Sequence, residues 1–119
     1  MKELKNPISI AELSTFANCM NPEWDPLVKA VVDITTSSIV IGASMHVDEE
    51  EYLIDSGSEQ SDLWGINLYP SLFWKDEFIE FDSMINLRPS GWNKSRSVED
   101  PHIQKTIRSL IWKYIIHGK

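Results

Sequence analysis

Apolar residues recur with a helical period in three stretches of this chain and with a two-residue period in four, and the two kinds of stretch follow one another. The first helical stretch is 10–20, where Ile10, Leu13, Phe16, Ala17 and Met20 share one stripe. Ser9 precedes it and Glu12 follows three residues later, the spacing of a capping box in which two orphan amides are satisfied reciprocally. Asn-Pro and Asp-Pro steps within 21–26 end the helix, because the residue before a proline is pushed out of the helical region.

Two strands follow, 27–34 and 39–46, joined by a polar turn at 35–38. Val28, Ala30, Val32 and Ile34 face the same core as Ile39, Ile41, Ala43 and Met45, and the other face carries Lys29, Asp33, Gly42, Ser44 and His46. Asp48 is the expected N-cap of a second helix whose first turn holds Glu49, Glu50 and Glu51, with Gly57 closing it.

A second pair of strands is expected at 63–69 and 78–88. In the first, Trp64, Ile66 and Leu68 oppose Gly65, Asn67 and Tyr69; in the second, Ile79, Phe81, Ile85 and Leu87 oppose Glu80, Asp82, Asn86 and Arg88. After a loop at 89–99, Asp100 caps and Pro101 begins the last helix, which Ile103, Ile107, Leu110, Ile111 and Tyr114 bind to the core. The order is helix, hairpin, helix, hairpin, helix. It predicts an α+β fold with a mainly antiparallel four-stranded sheet built from two hairpins, the helices on one face and the polar faces of both hairpins on the other. Residues 1–119 are read as one domain.

Composition narrows the function classes. With 119 residues and 42% hydrophobic content the chain can bury a core without staples. The lone Cys19 excludes an internal disulfide, the first residues lack the apolar run of a secretory signal, and a reducing cytoplasm is expected. No segment has the roughly 20 apolar residues of a membrane span. A net charge of -7 opposes non-specific binding to nucleic acid.

The densest chemistry lies in 62–96. Asn67, Asp82, Asn86 and Arg88 fall on one predicted strand face and lead into a basic loop with Asn93, Lys94 and Arg96, which suits a small anionic ligand: guanidinium groups grip phosphate or carboxylate in bidentate fashion. A solvated sheet face with arginines paired to Glu80, Asp82 or Glu99 would produce the same pattern. Asp82 as acid or base with Arg88 as clamp defines an enzyme alternative, a small hydrolase or transferase on a phosphorylated or carboxylated compound. No nucleophile, base and orienter set accompanies it, and no cofactor is expected.

His46, Asp48, Glu49 and Glu51, with Asp33 or Asp82, offer metal-ligand atom types, but capping and the helix dipole account for most of them and no metal site is expected. His102 and His117 have no partner visible in sequence, and Cys19 reads as core. Leu72, Phe73 and Trp74 in the second hairpin loop, with Trp112 and Ile116, would form a contact surface if exposed together, or fold back over the core edge.

The runs DLWGINLYP from Asp62, FIEFDSMINLRP from Phe78 and NKSRSVEDP from Asn93, with KAVVDI and HVDEE before them, resemble a small prokaryotic family known only as a domain of unknown function. The likeness extends from Pro7 to the last helix. It implies a prokaryotic cytoplasmic protein and carries over no catalytic residue; the apolar Leu72, Phe73 and Trp74 depart from the family's more polar turn. The expectation is a non-enzymatic binding or interaction domain, homodimeric, with a small-anion site at Asn67, Asp82, Asn86, Arg88, Asn93 and Arg96. An assembly protein that uses the apolar loop and the last helix is the third reading.

Overall fold

The computed structural model describes residues 1–17 and 25–118. In chain order its elements are β1 (Lys2–Glu3), β2 (Ile8–Ser9), α1 (Ile10–Ser14), β3 (Val28–Asp33), β4 (Ser38–Ile41), α2 (His46–Asp55), β5 (Leu63–Leu68), β6 (Ile79–Glu80), α3 (Pro101–Tyr114) and β7 (Ile115–Ile116). The main sheet has five strands in the order β1-β4-β3-β5-β6, each antiparallel to its neighbour, and β2 pairs in parallel with β7. The α+β class and the antiparallel sheet agree with the sequence pattern. The fifth strand is β1, a two-residue edge too short to show a period.

Strand β3 lies at the centre, and the register Ala30 with Ile41 and Val32 with Ile39 puts those predicted apolar positions on one face; the second strand ends at Ile41 and not at His46, so Ala43 and Met45 leave the sheet, Met45 is exposed, and His46 opens α2. There Val28, Ala30, Val32, Ile39, Ile41, Trp64, Ile66 and Leu68 pack against Leu13 of α1 and Ile107 and Ile111 of α3. Full burial of an aliphatic side chain of this size contributes roughly 1.5–3 kcal/mol. The opposite face is covered as well, which corrects the expectation that all helices share one side. Val31, Val40 and Leu63 alternate onto that face and pack with Leu53 of α2 and with Ile85. Three buried aliphatic groups give the second face an apolar strip, and α2 lies on it.

Helix caps follow the sequence closely at α3 and in part elsewhere. The Asp100 side chain accepts from the His102 amide at 2.8 Å with Pro101 in the first turn. The Ser9 hydroxyl accepts from the Glu12 amide at 3.0 Å, but the Glu12 carboxylate pairs with Lys2 instead of returning to Ser9. The helix is regular through Ser14; Cys19 and Met20, expected at its end, lie outside the described residues. Helix α2 begins two residues before the expected cap, so Asp48 sits in its first turn and Glu49 turns inward. Gly57, at φ +110°, ends it as expected: the Gly57 and Ser58 amides donate to the Ile54 and Leu53 carbonyls in a Schellman arrangement.

The largest correction concerns the expected strand 78–88. Only Ile79 and Glu80 pair with β5, opposite Leu68 and Asn67. Beyond them Ser83 caps a short helical turn over Met84–Asn86, and the Ser83 amide donates to the Arg96 carbonyl. Phe81 joins the first core and Ile85 the second, so the apparent alternation of 78–88 does not describe one pleated strand.

Candidate functional site

What replaces the missing strand is a side chain. The Asn86 amide group accepts from the Gly65 N–H at 2.8 Å and donates to the Gly65 carbonyl at 3.0 Å, the two bonds a partner strand would have made. The same amide nitrogen donates to the Arg96 carbonyl at 2.8 Å. Glycine at 65 is a spatial requirement, because a Cβ there would lie 2.5 Å from the Ser83 Cβ.

Asn93 organises the next stretch. Its amide nitrogen donates to the carbonyls of Asn86, Ser95 and Ser97, and its oxygen accepts from the Glu99 amide. Asn67 donates to the Glu80 carboxylate at 2.9 Å and to the Asp82 carbonyl at 3.3 Å, while its own oxygen is buried without a partner. Asn67, Asn86 and Asn93 are all buried. They form a scaffold that fastens 81–99 to the edge of β5.

Arg88 is buried too. Its guanidinium donates to the Leu63 carbonyl at 2.6 Å and, at 3.3 and 3.4 Å, to those of Ile85 and Gln60. The guanidinium carbon lies 4.0 Å from the Trp64 ring centre and 5.4 Å from that of Trp92, and the two indoles meet edge to face. No ion pair reaches Arg88 among the described residues; carbonyl dipoles and two π faces take the place of a carboxylate. Burial lowers its pKa from the ordinary arginine value.

Asp82 and Arg96 remain at the surface and bind each other at 2.7 Å. Asp82 and Arg88 share no hydrogen bond or ion pair, so the carboxylate and the clamp of the enzyme reading are not joined. Of the six residues expected to bind an anion, then, Asn67, Asn86, Arg88 and Asn93 are buried in intramolecular bonds, and Asp82 and Arg96 form an exposed pair.

Beneath α2 the structure holds a group that the sequence pattern placed at the surface. Glu49 is fully buried, one carboxyl oxygen accepting from the Ala43 amide at 3.0 Å and the other without a partner. Burial pushes its pKa up to about 9, so the carboxyl is protonated at neutral pH. His46 contacts the Ile66 carbonyl through Nε2 at 2.7 Å, which makes Nε2 the protonated nitrogen, and burial lowers its pKa. Among the described residues no group of three or more His, Cys, Asp or Glu is placed to hold a metal ion.

The outward-facing chemistry lies elsewhere. Phe73, Trp74, Trp112 and His117 form a contiguous aromatic patch: Trp74 stacks on Trp112 with centres 6.2 Å apart and planes at 16°, and lies 4.5 Å from Phe73 and 5.9 Å from His117. Phe73 also meets the buried Phe78 at 5.2 Å, which anchors the patch to the core. Trp74 is 70% exposed and has φ +81°, a left-handed backbone that a bulky residue rarely adopts. Trp112 is exposed within this patch, and Ile116 is exposed on β7 opposite Ser9. The sequence had marked 72–74, Trp112 and Ile116; the joining of His117 follows from α3 ending at Tyr114.

No helix among the described residues is long and apolar enough to cross a membrane. No curated protein and no solved structure matches the chain. A family model does match it, over residues 3–114, nearly the whole length: the chain belongs to the family described as "Protein of unknown function (DUF5674)".

Proposed function

We propose that this protein is a non-enzymatic interaction domain that pairs with a second copy of itself through the patch made by Phe73, Trp74, Trp112 and His117. Trp74 carries the reading. An indole held 70% in solvent on a left-handed backbone loses free energy twice, by exposure and by strain, and such strain concentrates where structure serves binding. Tryptophan is also the residue most enriched at the energetic centres of interfaces.

The occupant follows from the rim. Lys75, Asp76 and Glu77 follow Trp74 directly in the chain and are all exposed, so both signs of charge adjoin one apolar centre. A two-fold axis through the patch brings each surface against its own copy, and Lys75 of one protomer then faces the carboxylates of the other.

Replacing Trp74 by glycine separates function from stability, because glycine adopts a positive φ freely. Sedimentation at micromolar concentration is expected to show a dimer for the native chain and a monomer for Trp74→Gly. Loss of a central interface tryptophan costs about 2 kcal/mol or more, roughly a thirtyfold weaker association. The thermal midpoint of the dilute variant should be no lower than that of the native chain. A native chain that sediments as a monomer at 100 times that concentration would overturn the reading.

A further inference from the structure

The charges of this chain are segregated in a way that its net value of -7 conceals: from Pro101 to Lys119 the sequence holds Lys105, Arg108, Lys113 and Lys119 and no aspartate or glutamate. Every aspartate and glutamate therefore precedes α3. The face of α3 turned away from the core carries His102, Lys105, Ser109 and Lys113, successive positions three, four and four residues apart, all of them exposed.

That face borders a groove of about 370 Å³ between α3 and the turn joining β3 to β4, lined by Ser37, His102, Lys105, Thr106, Ser109, Leu110 and Lys113. No carboxylate lines it. Among the described residues neither lysine takes part in an ion pair, and the hydroxyls of Ser37 and Ser109 make no hydrogen bond, whereas the Thr106 hydroxyl donates back to the His102 carbonyl. The nearest acid in sequence, Asp100, is engaged by the His102 amide.

The opposite wall is rigid. The Asp33 side chain accepts from the Thr35 and Thr36 amides and from the Ser58 hydroxyl, and the Asp33 carbonyl accepts from the Ser37 amide. These bonds hold Ser37 at φ +63°, another uncommon backbone for a non-glycine residue. A preformed hydroxyl-bearing rim thus borders the same open groove as Lys105 and Lys113, neither of them in an ion pair among the described residues, the Lys113 ammonium resting 5.8 Å from the Tyr114 ring centre.

We infer that this groove is a binding site for a ligand bearing phosphate groups, held by Lys105 and Lys113 and hydrogen-bonded by Ser37 and Ser109. Eight residues of helix separate the two lysines, about 12 Å along the axis, and their flexible stems allow the ammonium groups to converge on adjacent phosphates. A diphosphate or a compound with two phosphate groups fits that span better than a single phosphate. Trp112 does not line this groove, which keeps it distinct from the aromatic patch.

The test is titration of the isotope-labelled protein with inorganic pyrophosphate and, separately, inorganic phosphate at 150 mM salt, followed by amide NMR. Vesicles with and without phosphatidylglycerol form a third arm. Saturable shifts confined to Ser37, Lys105, Thr106, Ser109 and Lys113, stronger for pyrophosphate, are expected. Charge reversal of Lys105 and Lys113 together to glutamate should weaken binding at least about tenfold, whereas Lys94→Glu, which removes an exposed cation elsewhere, should leave it within twofold. Binding to the anionic vesicles alone would assign the phosphate to a lipid headgroup. Shifts spread evenly over exposed lysines, or an equal loss in the Lys94 variant, would overturn the site, as would no binding of any of the three probes.

Discussion

Asparagine is the residue through which this chain shapes its irregular half. A side-chain amide presents one acceptor and a donor group in nearly the geometry of a peptide unit, so Asn86 can complete a strand edge with no strand present. Removing it leaves the Gly65 N–H and C=O buried and unsatisfied, and releases the Arg96 carbonyl. Asn86→Ala is therefore expected to cost about 3–5 kcal/mol. Asn86→Asp should be nearly as costly, because a carboxylate can accept from Gly65 but would face the Gly65 and Arg96 carbonyls with oxygen. Urea denaturation midpoints measure both. If Asn86→Asp were tolerated within 1 kcal/mol, the two carbonyl bonds would not matter as drawn.

Elements whose own residues carry the full set of backbone bonds were legible in the sequence. The last helix was, since Asp100, Pro101 and the stripe through Ile107 and Ile111 each state the same structure independently. Asp100→Ala should cost about 1 kcal/mol by removing the bond to the His102 amide, with Asp100→Asn recovering most of it; thermal midpoints of the two variants decide this. The first hairpin was legible as far as Ile41 for the same reason, as alternation and register agree there, but its returning strand was read on to His46, which opens α2 instead. The second was not, because its polar positions resemble a solvated strand face while serving as interior connectors. Alternation records which side chains are polar and not what they bond. The face covered by α2 was hidden by charge: a sequence reads Glu49 as ionised and hence exposed, and only burial makes it a neutral residue that an interior can hold. The candidate site had the same weakness, since Arg88 looks like a surface cation until Trp64, Trp92 and three carbonyls are found around it.

At the scale of the whole molecule the two buried titratable groups under α2 set opposing slopes on stability against pH. Glu49 binds its proton more tightly in the folded chain, up to about 9, than in the unfolded chain, where the ordinary value is 4.5. Its contribution is complete below pH 4.5 and declines as pH rises to about 9, at up to about 1.4 kcal/mol per unit. His46 has the reverse sign: its folded pKa is lowered by burial from 6.5, so stability declines as pH falls below that value. Below pH 6.5 the two slopes oppose one another down to the lowered pKa of His46, and above 6.5 Glu49 acts alone. The native chain should therefore lose about 3 kcal/mol between pH 6.5 and 9 from this one carboxyl. Glu49→Gln keeps the acceptor for the Ala43 amide and cannot ionise. Its stability should match the native chain near pH 4.5, exceed it progressively toward pH 9, and change little between 6.5 and 9. Urea midpoints for both proteins at pH 4.5, 6.5 and 9 measure the difference directly. Parallel losses in the two proteins from 6.5 to 9 would place the pH dependence in some other group, and would mean that water reaches the second face of the sheet beneath α2.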